Sequence, residues 1–114
     1  RDSSVTGVQT CALPILVVAS RSHMSTETHQ HIEQLKLKHN DVEIVSTGSS
    51  IKMCWVAESV ADEYPRFGPT MEWDTAAGQA ILQEANASLI DFETNQPMKY
   101  NRENLLNNWF IAKR

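Results

Sequence analysis

Residues 71–78 read Met71-Glu72-Trp73-Asp74-Thr75-Ala76-Ala77-Gly78, which places a carboxylate directly after an aromatic residue and at the start of a predicted helix. We predict this helix from Thr75 to Ala85, because the segment is rich in Ala, Gln, Leu and Glu. Its apolar residues recur at helical spacing, at Ala77, Ile81, Leu82 and Ala85. Asn86 is predicted to end the helix in a left-handed conformation. Taken alone, an aspartate at the position of Asp74 is most often an N-cap.

Strand and helix patterns alternate through the rest of the chain. A helix is predicted at Thr26–His39, with Ser25 as its N-cap and with inward-facing Ile32, Leu35 and Leu37. A shorter helix is predicted through Lys52, Trp55 and Ala57, after a turn at Gly48-Ser49-Ser50. Strands are predicted at Leu16–Ala19, Val42–Ser46, Ala61–Phe67, Leu89–Phe92 and Trp109–Ala112. This alternation predicts an α/β fold, in which helices cover a mostly parallel or mixed sheet.

Several aromatic and thiol side chains have a structural interpretation. Trp55, Trp73 and Trp109 are too scattered to form a base-stacking platform, and each is predicted to be a core or near-core anchor. His29 and His31 are predicted to lie at solvated positions of the first helix. Cys54 is predicted to act as a small apolar residue of the second helix and not as a nucleophile.

Composition restricts the classes of function. The 114 residues carry 10 Lys and Arg against 14 Asp and Glu, so the formal net charge is −4. Bulk charge therefore gives no attraction to a nucleic-acid polymer or to an anionic membrane. The apolar run at residues 13–19 is too short to span a bilayer. The other cysteine, Cys11, lies in the first fifteen residues, which we predict to be foreign to the domain. Cys54 then has no partner for an internal disulfide, so a reducing cytoplasm fits best.

The first fifteen residues are predicted to be foreign to the domain. Val5–Ile15 back-translates to a common sequencing-library adapter read through as protein. As a targeting signal the segment fails, because Arg1 is followed by Asp2 and no apolar run precedes Leu13. We therefore expect a leader at residues 1–15 without secondary structure tied to the rest, and a single domain or part of one at residues 16–114.

An anion site is suggested by residues in the middle of the chain. Gly48-Ser49-Ser50 precedes a predicted helix that carries Lys52, and exposed N–H groups, hydroxyls and an ammonium can together hold an anion. Arg66 has a planar guanidinium that suits a phosphate. Each residue also has a plain alternative: Lys52 as a solvated helix charge, Arg66 as a surface charge at a strand end, and His23 as a surface residue of a turn.

Residues 71–78, together with Gly48–Lys52 and Ala61–Phe67, resemble the carboxyl-terminal half of the magnesium-dependent phosphatases related to inositol monophosphatase. Within that family, three further segments are similar to the bacterial 3'(2'),5'-bisphosphate nucleotidases: Ser20-Arg21-Ser22-His23, Tyr64–Thr70 and the tail from Tyr100 to Phe110. The resemblance covers about residues 16–112. It implies the carboxyl-terminal half of the layered α-β sandwich of that family.

The resemblance also implies roles for individual residues. Asp74, in the matching Trp-Asp-x-Ala-Ala-Gly motif, is expected to bind Mg²⁺ and to contact the substrate. Gly48, Ser49 and Lys52 are expected to line the nucleotide pocket, and Arg66 to bind the second phosphate of the nucleotide. Ser20 and His23 belong to a segment that contacts the substrate phosphate. The implied reaction of the full enzyme is hydrolysis of the 3'-phosphate of adenosine 3',5'-bisphosphate, which gives AMP.

Two elements of the family are absent from this sequence: the glutamate of an early helix and the Asp-Pro-(Leu/Ile)-Asp-Gly-Thr motif. We therefore expect a carboxyl-terminal fragment that has no catalytic residue of its own and is inactive alone. The alternatives are a fragment of an inositol monophosphatase, a non-catalytic nucleotide-binding module, and a truncated sheet without a stable function. The full enzyme is expected in the cytoplasm, with peripheral association with the inner membrane left open.

Overall fold

The computed structural model describes residues 14–20, 24–47 and 51–114. In chain order these ranges contain β1 (Ile15–Ala19), α1 (Thr26–Lys38), β2 (Val42–Ser46), α2 (Ile51–Ala57), β3 (Glu63–Arg66), α3 (Glu72–Glu84), β4 (Ser88–Asp91) and β5 (Phe110–Lys113). Ile15, the last residue of the predicted leader, belongs to β1. Residues 1–13 lie outside the described ranges, so the expectation for the leader stays a prediction.

The described strands form a five-stranded sheet in the order β2-β1-β3-β5-β4. β1 pairs in parallel with β2 and with β3, whereas β5 is antiparallel to both β3 and β4. The register of the first pair runs from Ile15 opposite Val42 to Ala19 opposite Ser46. The predicted α/β fold with a mixed sheet is confirmed.

Helices cover both faces of this sheet. Successive residues of a strand point to opposite faces, and the buried pair Val17 and Val18 in β1 follows this rule. Val17 packs with Ile32 and Leu35 of α1, while Val18 joins the larger core formed with α2, α3 and β3 to β5. α2 and α3 approach closely, since a Cβ atom added at Gly78 would overlap the sulfur of Met53.

The first helix agrees with the sequence in its N-cap and in two of its three predicted inward-facing residues. Ser25 is the N-cap, and its hydroxyl oxygen accepts a hydrogen bond from the Thr28 N–H at 3.2 Å. Ile32 and Leu35 are buried as expected, but Leu37 is 87% exposed. The inward position predicted for Leu37 is wrong, because two helical residues turn through about 200° and carry it away from the face of Leu35.

The register of α3 differs from the prediction. The helix begins at Glu72 after the N-cap Met71, so Asp74 is the third helical residue and not the cap. Its Oδ2 still accepts a hydrogen bond from the Met71 N–H at 2.9 Å, the side-chain half of a capping box. The buried face is Glu72, Thr75, Gln79 and Leu82, whereas Ala77 and Ile81 are exposed, contrary to the predicted face. Asn86 has φ 61°, which confirms the left-handed end.

Two further predictions are corrected. Trp73 is 68% exposed, so it is not a core anchor; Trp55 and Trp109 are partly buried. His31 is not solvated either, because it hydrogen-bonds Glu63 and meets the Phe67 ring edge-on at 5.4 Å.

The ends of two strands also differ from the prediction. β3 is shorter than Ala61–Phe67, and β5 starts one residue late, at Phe110. Among the helices of the described ranges, none combines the length and the apolar character needed to cross a bilayer.

Candidate functional site

The predicted site residues that the structure describes lie near one edge of the sheet. β1, β2 and β3 are parallel, so their carboxyl ends meet at the same edge, which is where ligands bind in open α/β sheets. Ser20 follows β1 directly and is buried, and Arg66 is the last residue of β3. His23, Gly48 and Ser49 lie outside the described residues, so the roles expected for them stay predictions.

Alternation along β3 assigns the site to one face of the sheet. Glu63 contacts His31 of α1, so the odd positions of the strand face α1. Tyr64 belongs to the core that contains Met53 of α2 and Leu82 of α3, so the even positions face those helices. Arg66 is two residues beyond Tyr64 and therefore emerges on the same face.

Lys52 is a buried cation on that face. It lies in the first turn of α2 and is only 4% exposed, so the solvated alternative is wrong. Its Nζ lies 5.5 Å from the centroid of the Tyr64 ring, within the range of a cation–π interaction. Burial lowers the pKa of Lys52 below its ordinary value, and the positive charge of Arg66 lowers it further. Two cations on the same face of the sheet favour an anion beside them.

Arg66 is partly buried and has spare hydrogen-bonding capacity. One Nη2 hydrogen bond goes to the Pro69 carbonyl oxygen at 3.2 Å. The Nε atom is buried and has no hydrogen-bond partner among the described residues. A buried donor without a partner is costly, and an anionic ligand would supply the missing acceptor.

Asp74 approaches the same point from α3. Its carboxylate is exposed in the first turn of α3. The negative charge of this carboxylate acts electrostatically on the Tyr64 phenol. Burial raises the pKa of Tyr64; the charge and hydrogen bond of Arg66 oppose that rise, and the negative charge of Asp74 adds to it. The structure thus brings together Lys52, Arg66 and Asp74, from three different elements, around one buried phenol.

The first turn of α3 is anchored by the segment at residues 97–108, which sequence reasoning missed. The Glu72 carboxylate is buried and accepts hydrogen bonds from the N–H groups of Asn101 at 2.8 Å and Arg102 at 3.3 Å. The Asn107 Nδ2 atom lies within hydrogen-bonding distance of Thr70 Oγ1, Met71 O and Thr75 Oγ1. These contacts fix the start of the helix and hence the position of Asp74. They join positions about 30 residues apart, so no local pattern could have revealed them.

Asp74 is the metal ligand that the sequence predicts. Within residues 14–20, 24–47 and 51–114, no group of three or more His, Cys, Asp or Glu side chains could hold a metal ion. Mg²⁺ takes six oxygen ligands in near-octahedral geometry, and it usually keeps waters and binds substrate phosphates alongside one or two carboxylates. Asp74 fits one position of such a set, and the described part of the chain does not place two further His, Cys, Asp or Glu side chains beside it in a metal-binding group.

Comparison with known proteins shows the family of the chain. The profile of the inositol monophosphatase family matches residues 3–113, and the chain belongs to that family. The 3'(2'),5'-bisphosphate nucleotidase CysQ of Escherichia coli K12 is 46% identical over 100 residues, which cover 87% of this chain and 39% of that protein. CysQ of Salmonella typhimurium is 46% identical over 99 residues, with the same coverage. The chain thus spans about two-fifths of the length of these curated relatives.

Solved structures give the same result for the fold. The crystal structure of CysQ from Bacteroides thetaiotaomicron has a TM-score of 0.84 and 51% identity, and the match covers 92% of this chain and 39% of that one. Staphylococcal IMPase-II has a TM-score of 0.67 at 14% identity over 89% of this chain and 38% of its own. The second likeness concerns the fold alone.

Proposed function

We propose that this chain is the carboxyl-terminal, substrate-binding part of a magnesium-dependent bisphosphate nucleotidase. The substrate is adenosine 3',5'-bisphosphate, and hydrolysis of its 3'-phosphate gives AMP. The observation that carries the proposal is the buried Lys52 and the partly buried Arg66 beside Asp74, since a substrate with two phosphates needs positive charge at more than one point. The identity to proteins named 3'(2'),5'-bisphosphate nucleotidase supports the same substrate.

Each group of residues binds a different part of the substrate. Lys52 and Arg66 bind the second phosphate, and the buried Nε of Arg66 gains an acceptor there. Gly48 and Ser49 line the nucleotide pocket, while Ser20 and His23 contact the substrate phosphate. Asp74 holds the metal at the 3'-phosphate and contacts the substrate. Bound Mg²⁺ would supply charge neutralisation and activation of water at that phosphate.

The chain by itself is proposed to bind but not to turn over its substrate. One carboxylate cannot complete the coordination of Mg²⁺, and the relatives are about two and a half times as long as the matched region. The parent enzyme is placed in the cytoplasm, with peripheral inner-membrane association as the alternative. The net charge of −4 gives the chain no bulk attraction to either a membrane or a nucleic-acid polymer.

Calorimetry with the 114-residue chain tests the proposal. Adenosine 3',5'-bisphosphate should bind, and Lys52→Ala should weaken binding more than tenfold, since a buried charge-assisted contact is lost. Inositol 1-phosphate serves as the matched ligand, because it lacks the second phosphate. Equal affinity for the two ligands, with equal losses on Lys52→Ala, would instead favour an inositol monophosphatase fragment.

A phosphate-release assay on the full-length parent enzyme separates an enzyme part from a pure binding module. The parent enzyme should release phosphate from the bisphosphate only with Mg²⁺. Binding by the parent without any release, at saturating Mg²⁺, would contradict the enzymatic proposal and leave a non-catalytic nucleotide-binding module.

A further inference from the structure

We propose that the chain binds a small organic ammonium ion in an aromatic cleft on the face of the sheet that α1 covers. The cleft has a volume of about 250 Å³ and lies between one side of α1 and three aromatic residues, Phe67, Phe92 and Trp109. Aromatic walls with a few polar groups at the rim are typical of sites for small molecules.

The register of the sheet brings the three aromatic residues together. Phe110 of β5 lies opposite the last residue of β3 and the last residue of β4. The next residues along these three strands are therefore neighbours: Phe67, Trp109 and Phe92. The Phe92 N–H donates a hydrogen bond to the Trp109 carbonyl oxygen at 2.8 Å, which continues the pairing to this level. Phe110 belongs to the core of α2 and α3, so Trp109 faces the opposite side, towards α1.

The three rings form one aromatic surface. The centroid of the Phe67 ring lies 5.5 Å from that of Trp109, with an interplanar angle of 29°, and 4.8 Å from that of Phe92. Phe67 is buried, whereas Phe92 is 51% exposed and Trp109 is partly buried. Phe92 and Trp109 thus remain accessible to a ligand. The face of an aromatic ring carries negative charge and attracts a cation, particularly one with alkyl groups that also pack against the ring.

Residues of α1 spaced three and four positions apart form the opposite wall: Glu27, Gln30, His31 and Gln34. His31 fixes this side of the helix against the sheet, because it hydrogen-bonds Glu63 and meets the Phe67 ring edge-on. The two walls are therefore held in place before a ligand arrives, which reduces the cost of binding.

The charges of the lining favour a cation. The Glu27 side chain is exposed at the rim, and among the described residues that line the cleft none is Lys or Arg. The side-chain carbonyl oxygens of Gln30 and Gln34 are further acceptors for an ammonium group or its hydroxyl substituent. A phosphate would instead be repelled by the Glu27 carboxylate.

The sheet separates this cleft from the proposed phosphate site. Phe67 lies on the face of α1, as its contact with His31 shows, whereas Arg66 emerges on the face of α2 and α3. The ammonium site is therefore independent of the proposed function.

Choline and its uncharged isostere 3,3-dimethylbutan-1-ol are the matched probes, because they differ in one nitrogen-for-carbon replacement and in the charge. The isotope-labelled 114-residue chain is titrated with each by NMR at constant ionic strength. The signals followed are the Trp109 indole N–H and the side-chain amides of Gln30 and Gln34. Choline should give saturable shifts and bind about tenfold more tightly than the alcohol, since the aromatic rings and Glu27 attract only the charged probe.

Two variants separate the aromatic and the ionic contributions. Phe92→Leu keeps an apolar side chain and removes the ring, while Glu27→Gln removes the charge. Each should lower the ratio of the two affinities about threefold and leave the affinity for the alcohol nearly unchanged. Glu33→Gln is the matched control, because Glu33 is also exposed on α1 but pairs with Lys36 and is not among the residues that line the cleft. It should leave the ratio unchanged.

Four results would overturn the proposal. Equal affinity for choline and the alcohol would indicate an uncharged occupant, and no saturable shift with choline would exclude the site. Shifts of the same signals on dilution without ligand would show that a second copy of the chain covers the cleft. A ratio that neither Phe92→Leu nor Glu27→Gln lowers would place choline elsewhere on the surface.

Discussion

Replacing Asn107 by alanine should destabilise the fold at the point where Asp74 is held. The Asn107 side chain is 4% exposed, and its Nδ2 lies 3.1 Å from Thr70 Oγ1, 3.0 Å from Met71 O and 3.0 Å from Thr75 Oγ1. A side-chain amide nitrogen has two hydrogens, so at any moment it donates about two of these bonds.

The loss of unfolding free energy depends on which hydrogen bonds the acceptor oxygens keep in the variant. The Met71 carbonyl still accepts from the Asp74 N–H at 2.9 Å, and the Thr75 hydroxyl still accepts from the Tyr100 hydroxyl at 3.1 Å. The variant therefore leaves those two acceptors with a partner, and it loses about two net hydrogen bonds at roughly 1 kcal/mol each. With a small cavity, the free energy of unfolding should fall by about 2–3 kcal/mol.

Urea unfolding of the 114-residue chain, followed by tryptophan fluorescence, measures this difference. Asn104→Ala is the matched control, because Asn104 lies in the same segment, is exposed, and its side chain accepts, among the described residues, one hydrogen bond, from the Leu106 N–H at 3.1 Å. The control should change the free energy of unfolding by less than about 0.5 kcal/mol. An equally small change for Asn107→Ala would refute the anchoring of α3 by this segment.

Three further outcomes are expected. Binding of adenosine 3',5'-bisphosphate should weaken as the pH rises through the pKa of Lys52, which is lowered from the ordinary 10.5. Tyr64, whose pKa is raised, stays neutral over this range. Lys52→Arg should abolish this pH dependence in titrations between pH 7 and 10. In the parent enzyme, Lys52→Ala should raise KM for the bisphosphate more than KM for inositol 1-phosphate, and equal increases would favour the inositol monophosphatase alternative. Leu35→Ala should lower the free energy of unfolding by about 2–3 kcal/mol, and Leu37→Ala by less than about 0.5 kcal/mol, because of the two only Leu35 is buried, against Val17 and Ile32. Similar values for both variants would contradict the observed register of α1.

Elements set by local pattern could be predicted from the sequence. β2 was predicted with its observed ends, the Ser25 cap is confirmed, and Asn86 has the expected positive φ. Elements whose register depends on distant partners could not. α3 begins three residues before Thr75 because its first turn is held from residues 97–108, and that anchor turns Glu72 inward and leaves Trp73 exposed.

The residues of the candidate site were likewise predicted from the sequence only in part. The resemblance singled out Lys52, Arg66 and Asp74, and the structure places them around a common point. Tyr64 was missed, although the two-residue period of a strand relates it to Arg66. The pattern gives no sign that its ring lies below a lysine of α2, because that contact arises only when α2 packs on β3.

Phosphate release from adenosine 3',5'-bisphosphate tests the central claim most directly. We expect the parent enzyme to release phosphate with Mg²⁺ and to lose that activity on Asp74→Asn, since a neutral amide is a poor ligand for a hard cation. The 114-residue chain alone should release none above background, because Asp74 is one metal ligand among the several that are needed. Mg²⁺-dependent release by the chain itself, or full activity of the Asp74→Asn parent, would contradict the assignment.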